Sequence, residues 1–95
     1  AIIGPEVSIA NNCIIYSGSI IEHESKIEND CFIAPGVNIA GRVLIGEKTF
    51  VGIGSSIIEK ISIGENCIIG AGSIVISDFP SSSTIIGVPA KKINE

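Results

Sequence analysis

Gly18-Ser19-Ile20-Ile21-Glu22-His23-Glu24-Ser25-Lys26-Ile27-Glu28-Asn29-Asp30-Cys31-Phe32-Ile33-Ala34-Pro35-Gly36-Val37-Asn38-Ile39 returns isoleucine at every sixth position: 21, 27, 33 and 39. The same step runs outward in both directions. Positions 3, 9, 15, 45, 57, 63 and 69 are Ile, and 51 and 75 are Val, with no insertion between 3 and 75. Two residues before each of these stands a mostly small side chain, among them Cys13, Ser19, Ser25, Cys31, Val37, Thr49, Ser55, Cys67 and Ser73. One residue after, Gly or Ala recurs at Gly4, Ala10, Ala34, Ala40, Gly46, Gly52, Gly64 and Gly70.

Residues two apart on a strand point to the same side, so the small and the β-branched position share an interior. The small residue that follows lets the chain turn a corner. Three such hexads close a triangular coil of 18 residues, and successive coils stack ~4.8 Å apart as parallel strands. The expected fold is all-β: a parallel β-helix whose narrow core is a set of isoleucine ladders. β-branched residues favour this geometry, and singly scattered glycines, 11 in all, suit its many turns.

Composition limits the function. The chain has 95 residues, enough for one domain, with no Trp, no Met and a formal net charge of -4. That charge argues against nucleic acid as the main partner, since phosphate backbones need clustered Lys and Arg. No apolar run approaches the ~20 residues of a membrane span, and no signal peptide is visible. Cys13, Cys31 and Cys67 are an odd number at a spacing that fits no zinc motif. They fall on one interior ladder, which suggests structural thiols in a reduced, cytoplasmic setting. Ala at position 1 and the lack of Met suggest a piece of a longer chain.

In so regular a scaffold the exceptions carry the functional signal. Glu22-His23-Glu24 puts Glu where a corner residue should be small, followed by the only histidine. An imidazole titrates near neutrality, which makes His23 a candidate general base, with Glu24 setting its tautomer or raising its basicity. A solvated corner histidine between ordinary surface carboxylates remains the alternative. A second set stacks on another corner: Pro35, Ile53 and Ala71, edged by Gly52, Gly54, Gly70 and Gly72. Such an edge lets an extended ligand lie along the helix axis and bond to backbone groups. After Val75 the repeat is expected to stop, with a loop through Asp78–Ser83, a short strand near Thr84–Val88, and a polar tail. The boundaries are therefore 1–78 for the β-helix and 79–95 for loop, strand and tail.

Two longer motifs narrow the reading. Gly18-Ser19-Ile20-Ile21-Glu22-His23-Glu24 followed by Ile33-Ala34-Pro35-Gly36-Val37-Asn38-Ile39-Ala40-Gly41-Arg42-Val43 resembles the hexapeptide-repeat sugar acetyltransferases. These include the sialic acid O-acetyltransferases and the N-acetyltransferases of nucleotide-linked 4-amino sugars (perosamine among them). Ile69-Gly70-Ala71-Gly72-Ser73 and Gly87-Val88-Pro89-Ala90-Lys91 fit as well. The resemblance implies a left-handed β-helix, although parallel crossovers are right-handed in ~98% of cases. The connections here are bare corners rather than packed helices, so that rule loses its cause.

It further implies an acetyl-CoA-dependent transfer of an acetyl group to a sugar amine or hydroxyl. His23 would be the base and Glu24 its partner, while Phe32, Ile53 and Ala71 would line the acetyl-CoA channel without any metal. Phe32 is a looser match, because relatives often carry His there. Lys91 and Lys92 could attract the coenzyme phosphates. Homotrimers with sites between neighbouring prisms are implied too, in keeping with the long flat faces of a thin prism. Relatives carry an N-terminal sugar-nucleotide-binding domain with no counterpart here, so a trimeric scaffold, inactive without that domain, is the alternative. A zinc carbonic anhydrase site needs three histidines, and an ice-binding surface needs threonine ladders; the chain has one His and only Thr49 and Thr84.

Overall fold

The computed structural model describes residues 1–94, and they wind into a left-handed parallel β-helix of 35 × 22 × 21 Å. Each hexad contributes a two-residue strand, and three faces result. The first face stacks β1 (Ile2–Ile3), β4 (Ile20–Ile21), β7 (Asn38–Ile39), β10 (Ser56–Ile57) and β13 (Ile74–Val75). The second stacks β2 (Ser8–Ile9), β5 (Lys26–Ile27), β8 (Leu44–Ile45) and β11 (Ser62–Ile63). The third stacks β3 (Ile14–Ile15), β6 (Phe32–Ile33), β9 (Phe50–Val51), β12 (Ile68–Ile69), β14 (Thr84–Gly87) and β15 (Ala90–Lys92). Register is fixed at 18 residues: Ile21 pairs with Ile39, Ile27 with Ile45 and Ile33 with Val51.

In each two-residue strand the second residue points inward. Ile21, Ile33, Ile39, Ile45, Val51, Ile63 and Ile69 are wholly buried, each contributing about 1.5–3 kcal/mol against an exposed side chain. The preceding small position does a second job. Ser19, Ser25, Thr49 and Ser55 each donate to the carbonyl fifteen residues on, at 2.8–3.0 Å. Cysteine substitutes for the hydroxyl: Cys13 Sγ donates to the Glu28 carbonyl at 3.0 Å and Cys31 Sγ to that of Gly46 at 3.1 Å. Burial pushes the Cys31 thiol up to about 11, so it stays protonated and unreactive at neutral pH. The cysteines are free thiols with a packing role.

The repeat does not stop at Val75. Phe79 bridges to Ile63 on the second face, and Ile85 pairs with Ile69 on the third. The last coil is therefore 16 residues long instead of 18, shortened at the corner after Val75. Cys67 reports the same deletion, because its Sγ donates to the Pro80 carbonyl, thirteen residues on rather than fifteen. Beyond it the tail turns back as β15, antiparallel to β14, with Ile86 opposite Lys91. This strand covers the outer edge of β14 on the third face, an edge that would otherwise invite pairing with other chains.

Candidate active site

Every full corner has two residues, the second of them with positive φ. At nine such positions a side chain is tolerated: Glu6, Asn12, Glu24, Asp30, Arg42, Lys48, Lys60, Asn66 and Ser82. The edge between the third and first faces is different. Gly18, Gly36, Gly54 and Gly72 fill it in every coil. A Cβ at Gly36, Gly54 or Gly72 would meet nothing within 4 Å. Since other corners hold side chains at a similar φ, the chain's own packing does not explain four glycines in a row. They leave a bare backbone edge along the prism.

Ile53 and Ala71 precede two of these glycines and are tied coil to coil, the Gly72 N–H donating to the Ile53 carbonyl at 2.8 Å. Ile53 is exposed. Phe32 faces outward on the third face, three residues before the Pro35-Gly36 corner of this edge. Its ring stacks on Phe50 at 4.9 Å between centroids and meets Tyr16 at 5.2 Å. Lys91 and Lys92 lie exposed on that same face, in β15.

His23 and Glu24 occupy the edge between the first and second faces, where the sequence places them. There the Arg42 N–H donates to the His23 carbonyl at 2.9 Å, and the Glu24 N–H to that of Pro5 at 3.1 Å. Glu24 Oε1 lies 3.4 Å from His23 Nδ1 and accepts from Arg42 Nε at 3.2 Å. All three side chains are about half exposed. With Nδ1 held toward a carboxylate, the Nε2 lone pair is the one left to accept a proton.

The same edge opens onto the first face. A largely apolar groove of 290 Å³ runs there, with Glu22, Asn38 and Ser56 supplying its polar groups beside Ile20, Ala40 and Ile58. Asn38, Ser56, Gly41 and Arg42 were not singled out as site residues from sequence, yet two of them follow from the 18-residue coil: 41 is 23 displaced by 18, and 42 is 24 displaced by 18. His23 and the glycine edge bound opposite sides of the first face. Five residue steps separate them, roughly 16 Å of extended chain. The fold does not bring them together within one chain.

Among the described residues there is no group of three or more His, Cys, Asp or Glu that could hold a metal ion, and no helix long and apolar enough to cross a membrane.

Against known proteins, the family model for bacterial transferase hexapeptide (six repeats) matches residues 6–41 and 42–77. Among solved structures, the chain is similar to a histidine-to-alanine mutant of GDP-perosamine N-acetyl transferase from Caulobacter crescentus in complex with CoA and GDP-perosamine. Identity is 34% over 98% of this chain and 44% of that one, with a TM-score of 0.96. Serine acetyltransferase of Neisseria gonorrhoeae is 33% identical over 92% of this chain and 39% of its own, with a TM-score of 0.86. The acetyltransferase domain of PglB from Neisseria gonorrhoeae FA1090, in complex with acetyl coenzyme A, shares the fold at 24% identity and a TM-score of 0.84, over 97% of this chain and 51% of that one. The chain thus spans about half the length, or less, of these structures. No curated protein matches it.

Proposed function

Because the chain belongs to the bacterial transferase hexapeptide family, we propose that it transfers an acetyl group from acetyl-CoA to an amine or hydroxyl of a nucleotide-linked sugar. The observation that carries this reading is the lone imidazole, its Nδ1 turned to Glu24, one residue along the chain from Glu22, which lines a groove. Acetyl-CoA is a co-substrate and supplies the acetyl group as a thioester. The bare edge at Gly36, Gly54 and Gly72 suits its extended arm, with Ile53 and Ala71 offering backbone groups and Phe32 an apolar surface close by. That CoA is bound in the similar perosamine N-acetyltransferase structure favours the same choice.

His23 Nε2 takes the proton from the acceptor N–H or O–H as that atom attacks the thioester carbonyl carbon. The new N–C or O–C bond forms, the C–S bond breaks, and the imidazolium returns the proton to the departing thiolate. Glu24 stabilises the imidazolium, and Arg42 holds Glu24 in place. The groove lined by Glu22, the residue before His23, presents Glu22, Asn38 and Ser56 to a polar acceptor over an apolar floor.

The separation of His23 from the glycine edge supports a site shared between protomers of a homotrimer, one giving the base and its neighbour the coenzyme track. The test is acetyl transfer to a panel of nucleotide-linked amino and hydroxy sugars, read by mass spectrometry, with sedimentation giving the assembly state. Acetylated product from a trimer is expected. Tight acetyl-CoA binding without transfer to any sugar would overturn the acceptor class, and absence of coenzyme binding would leave the trimeric scaffold as the better reading.

A further inference from the structure

One coil after His23 the corresponding corner residue is Gly41, while Pro5 holds that place one coil before His23 and Glu59 one coil after Gly41. We propose that Gly41 is a positioning residue for the candidate base: its missing Cβ is the seat in which the His23 imidazole lies. This rests on the reading of His23 given above.

The geometry is specific. A Cβ at Gly41 would stand 2.6 Å from Cε1 and from Nε2 of His23, and 3.0 Å from Nδ1. Its three nearest neighbours are thus all atoms of one ring. At Gly46 and Gly52, by contrast, the added carbon would strike backbone of the next coil, within 2.5–2.9 Å. Those glycines are needed for coil stacking, and Gly41 is not. Nor does conformation require it, because Gly41 is not among the residues of positive φ. What remains is the imidazole. Lying across the α-carbon of residue 41, the ring keeps Nδ1 beside Glu24, whose Oε1 is anchored by Arg42, the residue after Gly41. Adjacent residues of one coil thus seat the ring and tether its partner on the next.

An alanine at 41 displaces the ring. His23 is about half exposed, so the imidazole swings into solvent while the coils stay stacked. The seat therefore acts on chemistry and spares stability.

The experiment is Gly41→Ala, with His23→Ala in parallel, in the same protein. Expected for Gly41→Ala are a fall in kcat of roughly 10²-fold, the scale of a misplaced catalytic group, an unchanged KM for acetyl-CoA, and an unchanged thermal midpoint. With a single histidine in the sequence, ¹⁵N imidazole shifts report His23 alone. They are expected to show the Nδ1–H tautomer in the parent and its loss in Gly41→Ala. Parent-like imidazole shifts in the variant would overturn the seat whatever the activity. Full turnover in Gly41→Ala beside a dead His23→Ala would also overturn it. Full turnover in both would remove the reading of His23 as base, and the shifts would still decide where the ring lies.

Discussion

Replacing His23 with alanine is expected to lower kcat for acetyl transfer by about 10²–10⁴-fold, the usual contribution of a positioned general base. Fold and assembly should survive. The side chain is 47% exposed, and what its backbone contributes, the carbonyl that accepts from the Arg42 N–H, remains in alanine. Glu24→Gln should act in the same direction but less severely. It keeps the shape and removes the charge that favours the imidazolium, without removing the base. The ordering matters more than either value. A Glu24→Gln variant worse than His23→Ala would mean that the carboxylate, not the imidazole, takes the proton. Circular dichroism and sedimentation run alongside the kinetics separate loss of chemistry from loss of structure.

Ile69→Ala should destabilise the protein by about 2–5 kcal/mol, the range for truncating a buried isoleucine, whereas Ile68→Ala should cost less than about 1 kcal/mol. The two residues are neighbours in one strand and chemically identical. Only the pleat distinguishes them: Ile69 is fully buried between Val51 and Ile85, and Ile68 is 51% exposed. For a domain whose whole stability is of the order of 5–15 kcal/mol, the first substitution is serious. Urea or thermal denaturation measures both. Equal costs, or the reverse order, would mean that the six-residue ladder has been placed on the wrong face, since a one-residue slip exchanges inside and outside.

The fold was legible because a solenoid repeats its environment every coil, so one inward position is written thirteen times over. The corner dipeptides were legible for the same reason. His23 and Glu24 stood out against a known spacing, and the glycines at 54 and 72 marked their edge. The extension past Val75 was also written down, in the six-residue step from Phe79 to Ile85 with Ser83 at the small position. It was hidden by a two-residue deletion that breaks the count at 77–78. Side-chain direction is another matter. That Glu24 sits between an imidazole and a guanidinium, or that the His23 ring lies over Gly41, depends on rotamers, and no periodicity records those. The coil length of 18 would have pointed to positions 41 and 42 as neighbours of 23 and 24, without saying what they do there.

A crystal structure of the protein with acetyl-CoA bound is the most direct test of the claim that departures from the ladder make an acetyl-transfer site. The expected result is the coenzyme's extended arm along the Gly36, Gly54 and Gly72 edge of one protomer. Its thioester carbonyl should face the His23 Nε2 of the neighbouring protomer. Coenzyme on any other face, or a thioester out of reach of every His23, would contradict it.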